Sequence, residues 1–241
     1  MLFLLCIRSF SLFAQAFYWE NPLSITTSYS VFPLALYNST DSYVFFQEVD
    51  TAKKEIYLSC KKFNSLDNVS DIKRFAGPFS YSTSEVPDIY SAAINDDGLI
   101  CLAVLSAPGE ISIYSSNDKA ASFKRTVLPS SSIMIAPRIY KTRANTFKLF
   151  TSSGDDNSFT IFTSESKDGV NWSRVELFSP AEKLQNPFIP VLIPYQNGDL
   201  VVFQAQYISE QTNRFSYQLY LTLRNSPGGS WSSPLLITNE N

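Results

Sequence analysis

Apolar residues come along this chain in short runs separated by Asn, Asp, Gly and Ser, and no segment repeats them every three or four positions between helix caps. Runs of that length bounded by turn residues predict β-strands and almost no helix. Prolines at 33, 87, 137 and 187 each open such a run, with spacings of 54, 50 and 50 residues. The first run, Phe32 to Tyr37, turns at Asn38-Ser39-Thr40-Asp41 and resumes as Tyr43-Val44-Phe45-Phe46-Gln47. The second, Ile89 to Ile94, turns at Asn95-Asp96-Asp97-Gly98 and resumes at Leu99 to Ala103. Arg138 to Tyr140 and Phe147 to Phe150 are the third pair. Ile189 to Ile193 and Leu200 to Gln204, joined at Gln196-Asn197-Gly198-Asp199, are the fourth. Third strands are expected at Glu55 to Leu58, Glu110 to Tyr114, Phe159 to Phe162 and Tyr217 to Leu221.

A period of about 50 residues is the size of a four-stranded propeller blade. Such a sheet cannot bury both faces alone, so neighbouring blades stack around an axis. Strands covered on both sides read as continuous apolar runs, as Leu99-Ile100-Cys101-Leu102 and Val201-Val202-Phe203 do. The expected fold is therefore all-β: a β-propeller of four-stranded antiparallel blades, four of them visible, at about 31–79, 86–128, 134–178 and 186–237. A two-sheet sandwich also uses many short strands, but the matched prolines and closing strands favour the propeller. Trp19-x-x-Pro22-Leu23-x-Ile25 is matched near the other end by Trp231-x-x-Pro234-Leu235-x-Ile237. Residues 17–25 thus read as an extra or closing strand of a single domain, 17–241.

Composition narrows the chemistry. With 19 Phe and 13 Tyr in 241 residues, the aromatic load suits strands. A net charge of −3 gives no reason to expect nucleic acid. No histidine is present, which excludes Ser-His and Cys-His hydrolysis and His-based metal catalysis within the chain. The reading calls for no cofactor and no metal.

The apolar start, Met1 to Cys6 and Ser11-Leu12-Phe13, followed by Ala14-Gln15-Ala16, resembles a cleavable export leader over 1–16. Arg8 and the missing basic start leave a buried first strand or a misplaced start codon as the alternative. Leu5 stands where lipidation of Cys6 would want a small residue. The expected location is periplasmic, cell-envelope or secreted, with no transmembrane span. Cys60 and Cys101 are then either a disulfide or two buried thiols, and the thiols are favoured.

The third-to-fourth strand turns carry a motif. Ser166-Lys167-Asp168-Gly169-Val170-Asn171-Trp172 retains Ser, Asp, Gly and Trp. In the second unit, Ser116 to Phe123 keeps Ser116 and Asp118, with Ala120 for the Gly and Phe123 for the Trp. In the fourth, Arg224 to Trp231 keeps Gly, Ser and Trp231 but has Ser226 for the Asp. These turns resemble the Asp-box, Ser-x-Asp-x-Gly-x-Thr-Trp, of sialidases and related propellers. The resemblance spans Trp19 to Ile237. It implies a six-bladed relative, of which this chain is either a smaller ring or an incomplete one. It also implies that the boxes are structural and lie on the face away from any active site.

On the opposite face, sialidases hold the substrate carboxylate with arginines, the first in a Phe-Arg-Ile-Pro motif. Ser30-Val31-Phe32-Pro33 is the counterpart here, with Val31 at the arginine position. Asp88 and Arg138 follow two of the repeat prolines and are expected to be neighbours, either as a sugar-binding polar pair with Asp88 the candidate catalytic acid, or as an ion pair between blades. Gln47, Gln204, Gln206 and Tyr207, with Glu210, are further binding candidates, and Glu48 and Asp50 an alternative carboxylate pair. Two functions stay open. The first is an exported, non-catalytic carbohydrate- or protein-binding scaffold, with a glycan or an envelope or extracellular protein as partner, favoured by Val31, the missing His and the decayed boxes. The second is a sialidase-like glycoside hydrolase using carboxylates such as Asp88.

Overall fold

A computed structural model of the protein describes residues 28–65, 68–128, 134–155, 158–208 and 215–238. The expected leader, Cys6, the 17–25 strand and Glu210 lie outside these residues. What is described is all-β: four antiparallel sheets, with one 3-10 turn at Ser179–Ala181.

Sheet one holds β1 (Ser30–Tyr37), β2 (Ser42–Asp50), β3 (Glu55–Ser65), β4 (Asn68–Val69) and β5 (Lys73–Ser80), and both β4 and β5 pair with β3. It therefore has five strands where four were expected. The polar stretch after Lys61 first folds back as the two-residue β4, and the outer edge is completed by β5. Sheet two is β6 (Tyr90–Ile94), β7 (Ile100–Ala107), β8 (Glu110–Ser116) and β9 (Lys124–Val127). Sheet three is β10 (Ile135–Lys141), β11 (Phe147–Asp155), β12 (Ser158–Ser166) and β13 (Glu176–Leu177). Sheet four is β14 (Gln185–Tyr195), β15 (Gly198–Ile208), β16 (Phe215–Arg224) and β17 (Leu235–Leu236). In sheets two to four, strands pair in sequence order, and the first strands of successive sheets stand side by side: β1 against β6, β6 against β10, β10 against β14.

The repeat prolines have a local cause. In β1, β10 and β14 the ladder slips at Phe32-Pro33, Ala136-Pro137 and Asn186-Pro187. A proline has no N–H to give the ladder, so it is tolerated at a bulge. The preceding residue takes a left-handed backbone at all three places, with φ of 51°, 48° and 46°. None is a glycine, so each bulge stores on the order of 1 kcal/mol.

Between sheets lie three apolar layers. Phe45, Phe75, Tyr114 and Phe123 make an edge-to-face and stacked cluster between sheets one and two. Ile113, Ile139, Phe147 and Leu149 fill the second layer. Phe150, Phe178, Phe203 and Trp231 form the third. Ile100 to Val104 are fully buried, as a strand covered on both faces must be. In β15 only alternate residues are: Val201 and Phe203 face sheet three, while Val202 is half-buried, because nothing among the described residues covers the other side. The expectation that this run is buried on both faces is corrected accordingly.

Cys60 and Cys101 are both buried free thiols in different layers. Burial pushes the Cys60 thiol up to about 11 and the Cys101 thiol higher still, which leaves both unreactive. No helix among the described residues is long and apolar enough to cross a membrane.

Candidate functional site

Antiparallel order sets which groups share an end of the molecule. The starts of β1, β6, β10 and β14 and the second-to-third strand turns meet at one end, here called the upper. The first hairpins and the third-to-fourth strand turns meet at the lower.

At the upper end Asp88 and Arg138 are brought together across sheets two and three, Nη2 to Oδ2 at 3.3 Å. Each side chain is about one-third exposed, and Arg138 Nη1 also donates to Pro137 O. Gln47 lies beneath them. Its side chain is fully buried, its Nε2 donates to Pro87 O and its Oε1 accepts from Ile89 N, both at 2.9 Å. The amide therefore grips the backbone on either side of Asp88 and, being fully buried, lies out of a ligand's reach. Tyr90 Oη donates to Phe32 O and ties the same strand to the first bulge.

At the same end is an open cleft of about 480 Å³, walled by Tyr29, Val31 and Phe32, by Thr51 and Lys54, and by Tyr81 and Thr83 to Val86. Tyr29 and Phe32 are exposed apolar surfaces, 57 % and 40 %. The shape is held by backbone: Lys54 and Phe32 are both left-handed, and Tyr81 N donates to Lys54 O. Val86 at its rim is two residues from Asp88. Val31 lines it, so the cleft wall is apolar there. The sequence reading pointed to Val31 and Phe32 but missed the other wall residues, because it looked to long loops after the second strands; here the β2–β3 turn is short, and the wall assembles from three separate segments.

The other candidates lie elsewhere. Gln204 and Gln206 stand on the face of sheet four turned away from sheet three, and Gln206 Oε1 accepts from Asn186 Nδ2 at 2.7 Å. Tyr207 pairs with Ser216 in the same sheet. Glu48 binds Ser28, Ser59 and Arg74 on the outer side of sheet one. Burial opposes its charge, but those hydrogen bonds and the guanidinium more than offset it, so the carboxyl stays below its usual range. Asp50 caps its own turn by accepting from Ala52 N and Lys53 N. The two carboxylates are thus engaged separately. No group of three or more His, Cys, Asp or Glu among the described residues is arranged to hold a metal ion.

The lower end is a belt of turns and ions. Asp168 Oδ1 accepts from Val170 N and Asn171 N at 2.9 and 2.7 Å, Ser166 Oγ accepts from Gly169 N, and Trp172 Nε1 donates to Gly169 O. In the second sheet Asp118 Oδ1 accepts from Ser122 N, and Ser116 Oγ from Ala120 N. Hydrogen bonds from Ser122 and Ser116 hold Asp118 down at about 2, and those from Asn171 and Val170 do the same for Asp168. Trp231 sits on the Arg224 guanidinium, which pairs with fully buried Asp199 at 2.7 Å and with Glu165 at 3.0 Å; Lys148 adds a second cation to Glu165.

No protein-family model matches this sequence, and no curated protein does. Among solved structures, the chain is similar to a Penicillium chrysogenum α-L-arabinanase complexed with arabinobiose (TM-score 0.57, 14 % identity, 84 % of this chain and 66 % of that one). It is also similar to a neuraminidase-like protein of a flat-faced bat isolate (0.55, 9 %, 88 % and 54 %). A Fusarium graminearum α-L-arabinofuranosidase with an iminosugar inhibitor is a third (0.54, 12 %, 86 % and 66 %). The likeness is one of propeller fold, and this chain spans about half to two thirds of those chains.

Proposed function

We propose that the protein is an exported carbohydrate-recognition module whose ligand sits in the upper cleft against Tyr29, Phe32 and Tyr81. The observation that carries this is the cleft itself: the exposed rings of Tyr29 and Phe32, with half-buried Tyr81, beside the hydroxyls of Thr51 and Ser84 suit the apolar and polar sides of a sugar ring. Asp88 is tied to Arg138 and positioned by Gln47, so it serves as a rim contact for sugar hydroxyls rather than as an acid. In this reading the turns 116–123 and 166–172 are Asp-box locks, remote from the ligand.

A glycan array followed by titration calorimetry tests it. Saturable binding that weakens at least about tenfold in Tyr29→Ala, with no turnover of fluorogenic glycosides, is the expected result. The second reading, a glycoside hydrolase, draws support from the arabinanase and arabinofuranosidase of like fold. Turnover that disappears in Asp88→Asn would establish it and remove the first.

A further inference from the structure

Gln204, Gln206 and Tyr207 take no part in the upper cleft; they lie on sheet four, at the other end of the row of sheets. Alternation along the strands sorts them. Gln204 is opposite Leu219, and Gln206 opposite Tyr217, on the face turned from sheet three, whereas Tyr207 falls on the other face. Across β14 the same two glutamines are opposite Phe188 and Gln185. The Phe188 ring meets the Tyr217 ring edge to face, centroids 4.9 Å apart and planes at 83°. Tyr217 is thus braced from one side while remaining 49 % exposed. Asn186 Nδ2 donates to Gln206 Oε1 at 2.7 Å, and Asn186 Oδ1 accepts from Phe159 N, so Gln206 is oriented with its Nε2 left to donate. Gln204 is half-buried, and among the described residues no hydrogen bond engages its side chain.

Those groups restrict what covers this corner. No charged side chain stands on either rung, so a charged partner meets no counter-ion there. A purely apolar partner strips the Gln204 amide of water and gives it no hydrogen bond in return, which is costly. A neutral pyranose satisfies both kinds of group. Its C–H face lies on the Tyr217 ring, its hydroxyl oxygens accept from Gln206 Nε2, and its hydroxyls both donate to and accept from the Gln204 amide.

We propose that the corner formed by Phe188, Tyr217, Gln204 and Gln206 is a second carbohydrate site, for a neutral pyranose, separate from the cleft. Calorimetric titration with cellohexaose, mannohexaose and galactohexaose in turn tests it, with Tyr29→Ala as the background so that the cleft is disabled. At least one sugar should bind saturably, with an affinity that added salt leaves unchanged. Tyr217→Ala and Gln204→Leu should each weaken that binding at least about tenfold with an unchanged circular dichroism spectrum, and Tyr217→Phe should keep it. Should Tyr217→Ala fail to fold, Gln204→Leu, which keeps the side-chain bulk and removes only the amide, decides the matter. Absence of binding by all three sugars, or binding that survives Gln204→Leu or a folded Tyr217→Ala, overturns the proposal. So does sedimentation velocity that shows an assembly which Tyr217→Ala returns to the single chain, because a second copy then covers the corner. Binding at the cleft is scored by Tyr29→Ala in the native chain, so failure of one site does not imply failure of the other.

Discussion

Ala120 shows how much a single position can reveal. It occupies the glycine place of its turn with φ of 65° and is buried, yet a side chain in that conformation is strained. Ala120→Gly should raise stability by up to about 1 kcal/mol in chemical denaturation, provided the turn hydrogen bond to Ser116 survives. Gly169 is the opposite case. At φ of 69°, a Cβ there would come within 2.3 Å of Cys101 Sγ, so Gly169→Ala should cost roughly 1–3 kcal/mol through overpacking. Asp118 and Asp168 add a pH dependence. Both carboxyls are held down at about 2, below the ~3.9 of an unfolded Asp, so their contribution is complete above about pH 4 and is lost as pH falls towards 2. Thermal melts across that range should show a falling Tm, and Asp168→Asn should flatten part of the fall.

Between elements, the strongest tie is the ionic joint of sheets three and four. Asp199 is 0 % exposed and receives Arg224 Nε, Arg224 Nη2 and the backbone N–H of Arg143. Removing the guanidinium leaves a buried carboxylate with no counter-ion. Arg224→Met is therefore expected to destabilise by about 3–5 kcal/mol, far more than removal of an exposed pair. Its readout is the denaturation midpoint, with the slope unchanged. Asp88 and Arg138 provide the contrast: both are about one-third exposed, so Asp88→Asn should change stability by less than ~1 kcal/mol. That variant can therefore report on ligand binding and turnover without the confusion of unfolding.

For the molecule as a whole, the two ends divide the work. Below, hairpin turns interlock from sheet to sheet: Asn145 Oδ1 accepts from Asp96 N, Lys119 reaches Asp41, and Arg143 N reaches Asp199. Above, inner strands begin at strained proline bulges and leave an open cleft. A rigid base carrying an open rim is the arrangement in which loops can bind while the scaffold holds them. Losing Tyr29 from the rim should therefore weaken glycan binding while leaving the melting temperature nearly unchanged.

Strand order, the blade-sized period and the near absence of helix were legible in the alternation of apolar runs and turn residues, because sheet formation follows local pattern and turn chemistry. The juxtaposition of Asp88 with Arg138 was legible too, since equivalent positions of adjacent repeats must meet around an axis. The sequence did not reveal that Gln47 is buried under that pair, that the cleft gathers three distant segments, or that Lys148, Glu165, Arg224 and Asp199 form one network. Each depends on which residues are brought together across sheets, and a repeat pattern fixes the direction of a strand without fixing its neighbours. The uncovered face of sheet four is the clearest instance. Val201-Val202-Phe203 reads as a strand buried on both sides, and only the packing of whole sheets decides that, among the described residues, one side is left open.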